Sequence, residues 1–276
     1  MTRARPFLLA LLALSVAAAR GGAQAAPAQA ASTASPDVAR DRWADSARRA
    51  IEVGTAQADP AALAGVRAML GRALVLAPDD ALLLHYQGYA AYREAVAYMG
   101  RNDRPAARRL LAAADSLLDR SAARLPLAES HALRASVLGM QIGTGNPASG
   151  MWLGPKIGDA MDRALELGPR NPRVWLIRGM SAYNTPGMWG GGTEKARGFL
   201  ARAVTLFATD RPAPGMPAWG EAEAHLWLGR TLQKSGDVAG ARAEYARALA
   251  LQPDNAWLSR VLLPSLDRPA AGGGTR

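Results

Sequence analysis

Across residues 222–255, AEAHLWLGRTLQKSGDVAGARAEYARALALQPDN, apolar side chains recur at intervals of three and four on both sides of a single break. Leu228 and Leu232 before the break, and Tyr245 and Leu249 after it, would line facing sides of two helices. The break is Gly236-Asp237, a helix stop followed by a side chain that can cap the next helix. Pro253 ends the second helix and Asp254 can cap whatever follows. Gly229 and Ala248 are small enough for the two helices to approach closely, so the segment predicts a tight antiparallel helical hairpin.

The same ending occurs three times: RALVLAPDD to Asp80, RALELGPRN to Asn171 and RALALQPDN to Asn255. Each is an Ala-Leu turn of helix followed by proline and a polar cap, and each marks a repeat boundary. After the first two comes a helix with glycine at its eighth place, ALLLHYQG to Gly88 and PRVWLIRG to Gly179. Runs of β-branched residues are almost absent and the apolar half of the chain is mostly alanine and leucine, so helix is expected throughout.

Gly229, Gly236, Asp237, Ala241, Tyr245, Ala248 and Pro253, in a unit beginning at Ala222, resemble the tetratricopeptide repeat, a 34-residue helix-turn-helix. Trp175 stands where that family favours tryptophan. One unit cannot bury its apolar face alone, so neighbours are required. The resemblance implies an all-α fold, a right-handed alpha-alpha superhelix of about five units. They are placed at 40–78, 81–125, 132–169, 172–208 and 222–253, with a last helix at 255–266, all within a repeat domain spanning 37–267. The earlier units are longer than the family's, through insertions or longer helices between glycine and second-helix alanine.

The N-terminus has a different pattern. Arg3 and Arg5 precede the apolar run from Phe7 to Ala19, and Ala23-Gln24-Ala25 follows. That order predicts a signal peptide over 1–25, cleaved after Ala25; the run falls short of the ~20 residues of a membrane span. No cysteine occurs, which excludes a lipidated cysteine and a disulfide scaffold. The expected location is the periplasm or the exterior, with no transmembrane span in the mature form. Residues 26–36 and 268–276, rich in Ala, Pro, Ser or Gly, are expected to be disordered.

The formal charge is +10, nearly all arginine. The arginines are spread along helices rather than clustered, and an exported chain rarely meets nucleic acid, so a nucleic-acid partner is not expected.

Two glycine-rich stretches interrupt the helical pattern, NPASGMWLGPKIGDA (146–160) and NTPGMWGGGTEKA (184–196). A phosphate-binding loop needs a preceding strand and a Gly-Lys-Ser/Thr ending, and neither stretch has them. They are enlarged corners between helices. Met and Trp could fold back as hydrophobic plugs, or Trp152 and Trp189 could form an exposed aromatic edge on consecutive units.

In tetratricopeptide proteins the first helix of each unit lines a concave groove. The resemblance therefore assigns His85, Tyr89, Tyr92 and Arg93, Met140, then Arg173, Met180, Tyr183 and Asn184, then Arg230, Gln233 and Lys234 to a basic, aromatic groove. Such a surface suits a peptide segment, although the tyrosines could equally pack between neighbouring helices. The asparagine-lysine carboxylate clamp of chaperone-binding members is not reproduced. His85, His131 and His225 stand apart from one another without metal-ligand spacing, and no G-x-S-x-G or cysteine nucleophile occurs. The reading is a non-enzymatic interaction or scaffold module of the cell envelope, without cofactor or metal, whose partner is another envelope protein or peptide segment. The alternatives are a ligand-holding component similar to the periplasmic T component of TRAP transport systems, and a self-associating scaffold.

Overall fold

The computed structural model describes residues 36–267. The segments 1–25 and 26–35, and the tail 268–276, lie outside the described residues, so the signal-peptide and disordered-tail expectations have no structural counterpart. Among the described residues the regular structure is all helical, without strands.

Ten helices form five consecutive antiparallel pairs. They are α1 (Pro36–Ala56) with α2 (Pro60–Leu76), α3 (Ala81–Gly100) with α4 (Arg104–Arg124), α5 (Ala128–Thr144) with α6 (Gly150–Leu167), α7 (Pro172–Asn184) with α8 (Thr193–Phe207), and α9 (Glu221–Lys234) with α10 (Val238–Leu251). A π-helical turn at Leu258–Leu262 and a short helix at Leu263–Ser265 close the array. The odd-numbered helices pack side by side as one layer, and the even-numbered helices cover them.

Local chemistry sets the helix starts. Asp59, Asp80, Asp103, Asn171 and Asp237 each accept a backbone N–H from the first turn of the following helix, with Asp80 taking both Leu82 and Leu83 at 3.0 Å. Leu258 is capped by Asn255 at 3.1 Å rather than by Asp254. The turns joining α1 to α2, α3 to α4, and α9 to α10 share one design, a left-handed middle residue (Ala58, Asn102 or Gly236) followed by the capping aspartate. The extra length of the first two units therefore lies in their helices, and only α5–α6 and α7–α8 have enlarged corners.

Those corners share a sequence but not a conformation. In the first, Gly150-Met151-Trp152 is already the opening turn of α6. In the second, Gly187–Trp189 is a 3-10 turn, and Gly190 and Gly192 at φ 87° and 109° delay the helix to Thr193. Leu153 continues a helix where Gly190 turns out of it.

The seams are close. A Cβ built on Gly229 would lie 2.6 Å from the Tyr245 ring, and one on Gly179 2.5 Å from Leu200. Tyr245 fills the α9–α10 seam, with its hydroxyl donating to Gln233 Oε1 at 2.8 Å.

Candidate functional site

The chain between α8 and α9, residues 208–220, does not run around the outside. It crosses the faces of α1 and α3. Gly215 lies so close to Asp41 that a Cβ there would meet the carboxylate oxygen at 2.5 Å. The Tyr86 hydroxyl donates to the Met216 carbonyl at 3.0 Å. Trp219, 1% exposed, stacks on Tyr89 with ring centroids 4.7 Å apart.

This segment fixes the protonation of His85. The Trp219 Nε1–H can only donate, so His85 Nε2, 3.3 Å away, must accept, and the ring proton sits on Nδ1. Nδ1 then donates to Ser130 Oγ at 2.9 Å, Ser130 donates to Ser121 Oγ at 2.9 Å, and Ser121 ends the chain on the Ala81 carbonyl at 2.8 Å. Burial, reinforced by the charge of Arg173, pushes the imidazole pKa down to about 3. His85 is a neutral structural group.

Arg93 is held in the same layer. Both its terminal nitrogens donate to the Glu223 carboxylate in a fork, Nε donates to the Tyr89 hydroxyl at 3.2 Å, and the guanidinium lies over Tyr89 and Tyr92. Burial opposes its charge, but Glu223 outweighs burial and raises the pKa well above the ordinary arginine value. Desolvation raises the pKa values of Tyr89 and Tyr92. Arg173 donates to Asp210 at 2.5 Å, over the Phe207 ring.

The groove expected from the sequence therefore divides in two. His85, Tyr89, Tyr92, Arg93, Arg173 and Met180 are buried, not presented to a partner. The correction has a physical reason: the 208–220 segment and the start of α9 supply the rings and carboxylates that a ligand would have supplied. Met140 is half-buried against the core, and Gln233 is committed internally to Tyr245 and Ser265.

The other half stays open. Tyr183 meets Trp227 edge-on at 5.3 Å, and Arg230 lies over three rings, Trp227 at 4.4 Å, Tyr183 at 5.0 Å and Trp257 at 5.2 Å. Lys234 sits 4.6 Å from the Tyr183 centroid, and Asn184 is exposed beside it in sequence, donating to the Met180 carbonyl. Among the described residues neither Arg230 nor Lys234 makes an ion pair with a carboxylate. Trp219, Glu223, Trp227 and Trp257 are the participants that sequence reasoning did not find. The usable signal was the apolar, proline-punctuated run MPAWG immediately before the most regular unit.

The Gly-Met-Trp corners are not plugs. Met151, Trp152, Met188 and Trp189 are 82%, 57%, 85% and 73% exposed. Of the other histidines, His225 Nδ1 lies 2.6 Å from Glu244 Oε2. Burial acts to raise the Glu244 pKa, but His225 and Arg247 overcome it and hold the carboxyl below its usual value. Among the described residues no cluster of His, Asp or Glu could hold a metal, and no helix is long and apolar enough to cross a membrane.

Residues 222–255 match the family model of the tetratricopeptide repeat. That segment is a tetratricopeptide repeat unit. The chain superposes on the HusA haemophore from Porphyromonas gingivalis with a TM-score of 0.58 at 23% identity, covering 74% of this chain and 95% of that one. It also superposes on a thermophilic TPR protein from Thermus thermophilus with a TM-score of 0.56 at 19% identity, covering 81% and 98%. At these identities the shared property is the fold. The BBSome complex member bbs-4 of Caenorhabditis elegans is 30% identical over 104 residues, which are 38% of this chain and 21% of that protein. The match thus spans about a fifth of that relative's length.

Proposed function

We propose that this protein is a non-enzymatic interaction module that receives a partner segment on the open half of its odd-helix layer. The partner chemistry is an apolar or aromatic side chain next to a carboxylate. The observation that carries this reading is Arg230, held among the rings of Tyr183, Trp227 and Trp257 with Lys234 alongside, two cations without an ion-paired carboxylate among the described residues. A guanidinium stacked on rings keeps its N–H edge available, and a carboxylate arriving there would gain charge-assisted hydrogen bonds in a partly dehydrated setting. The charged-then-apolar N-terminus ending in Ala23-Gln24-Ala25 supports a place in the cell envelope, and the partner is accordingly a segment of another envelope protein.

Crosslinked capture from envelope extract tests the reading, comparing the wild-type chain with a Trp227→Ala/Arg230→Ala variant that keeps its helical circular dichroism. A partner recovered by the wild type and lost by the variant is the expected result. Equal recovery from both would move the site off this face.

A further inference from the structure

The array has one loose seam. α2 packs extensively on α3, α4 on α5 and α8 on α9, whereas α6 touches α7 at only a few points. The gap this leaves is a cleft of about 370 Å³ between α6 and α8, floored by α5 and α7. Its apolar walls are Ile157 and Met161 from α6, Ile177 from α7 and Phe199 from α8, with the exposed Trp189 at its edge. On α7 the lining positions 177, 178, 181 and 182 are centred on a side of the helix turned well away from Met180 and Tyr183, so this cleft is separate from the open inner face.

The polarity of the cleft is graded. Lys195 and Phe199 are one turn apart on α8, and Arg178 lies 4.3 Å over the Phe199 ring, so both cations sit at the α8 side. Lys195 Nζ donates to the Gly190 carbonyl at 3.0 Å, and among the described residues neither cation has a carboxylate partner. The hydroxyls of Ser181 and Thr185 add to that rim, while Asp162 stands on the α6 side and would repel an anion placed there. The apolar walls argue against an inorganic ion, and the volume falls within the range of small-molecule sites. It is equivalent to about twelve water molecules, roughly the bulk of a dodecyl chain.

We infer that this cleft binds a small anionic amphiphile. Its apolar body lies between Ile157, Met161, Ile177 and Phe199, with Trp189 closing over it, and its anionic head meets Arg178 and Lys195. Met188, next to Trp189 in sequence, and Met151 and Trp152 on the preceding corner are exposed apolar side chains as well.

Titration of the full chain with dodecanoate below its micellar range, read by tryptophan fluorescence and calorimetry, tests the inference. Saturable binding near one molecule per chain is expected, weakened about tenfold by Lys195→Gln, an exposed replacement that leaves the fold intact. Dodecanol, equal in length and uncharged, should bind more weakly and be indifferent to that change. Met161→Trp, which fills the cleft, should abolish binding, and Arg230→Ala should leave it unchanged, so that the inner-face reading and this one fail separately. Dodecanoate binding that is absent, or insensitive to both Lys195→Gln and Met161→Trp, overturns the inference. Co-sedimentation with phosphatidylglycerol vesicles without binding of monomeric dodecanoate would also overturn it, because the corners would then engage a bilayer surface and the cleft would have no ligand.

Discussion

The Trp219 indole donates to Nε2 of His85 across 134 residues of sequence, and that bond fixes which nitrogen of the imidazole carries its proton. The consequence is a one-way relay of donors through Ser130 and Ser121 to the Ala81 carbonyl, closing buried polar groups that would otherwise destabilise the layer. Trp219→Ala should remove the stacked ring and orphan His85 together. A loss of about 3–5 kcal/mol in urea unfolding is expected for a buried tryptophan. A loss below about 1 kcal/mol would mean that the 208–220 segment only rests on the surface.

Acidification should act through His85. Its pKa is lowered from 6.5 in the unfolded chain to about 3 in the folded one. The stability from keeping it neutral is complete above pH 6.5 and is lost progressively as pH falls toward 3, at up to about 1.4 kcal/mol per pH unit. Between pH 6.5 and 5, before most carboxylates titrate, unfolding free energy should fall more steeply in the wild type than in His85→Leu. Equal slopes would remove His85 as the cause.

The Arg93–Glu223 fork joins the second unit to the fifth. Because both groups are largely desolvated, Arg93→Met or Glu223→Met alone should cost about 3–5 kcal/mol by leaving one charge buried and unpaired. The Arg93→Met/Glu223→Met double variant should recover a good part of that loss. Additive losses in the double-mutant cycle would show that the two side chains act independently.

Gly229→Ala sets two effects against each other. Alanine gains about 1 kcal/mol of helix propensity over glycine. The added Cβ meets the Tyr245 ring at 2.6 Å and the Ala241 carbonyl at 3.2 Å, and overpacking of this kind costs about 1–3 kcal/mol. Net destabilisation is expected, and a rise in melting temperature would show that α9 and α10 can move apart freely.

Tryptophan quenching should separate the two classes of indole. Acrylamide ought to reach Trp152 and Trp189 readily and Trp219 hardly at all. Measured on chains retaining one tryptophan each, similar quenching constants for Trp189 and Trp219 would contradict the arrangement of the corner or of the inserted segment.

Much of this architecture is carried by local chemistry. Asp80, Asn171 and Asp237 cap helices because an oxygen acceptor two or three residues ahead of an apolar-periodic run satisfies N–H groups that the helix leaves free. Gly229 marks a close helix crossing because a Cβ there would meet the Tyr245 ring at 2.6 Å, and Ala248 is fully buried. These constraints act within one unit, so the all-α solenoid was readable from residues 222–255 and the recurring Ala-Leu-Pro endings. Tyr183, Arg230 and Lys234 were likewise placed together by the groove positions that the tetratricopeptide resemblance implies.

What the spacing could not decide was occupancy. Tyr89 and Arg93 have the residue types of a binding groove, and whether they face a partner or the chain itself depends on where residues 208–220 run, a segment with no periodicity to read. The Met-Trp corners pose the reverse case, apolar side chains that composition would send inward and that the structure leaves in solvent. The sequence by itself determined the helices and their pairing into units, because those follow from hydrogen bonds and side-chain volumes over a few residues. Only the tertiary structure decided which aromatic surfaces are filled and which are open, because burial is a property of what arrives from far along the chain.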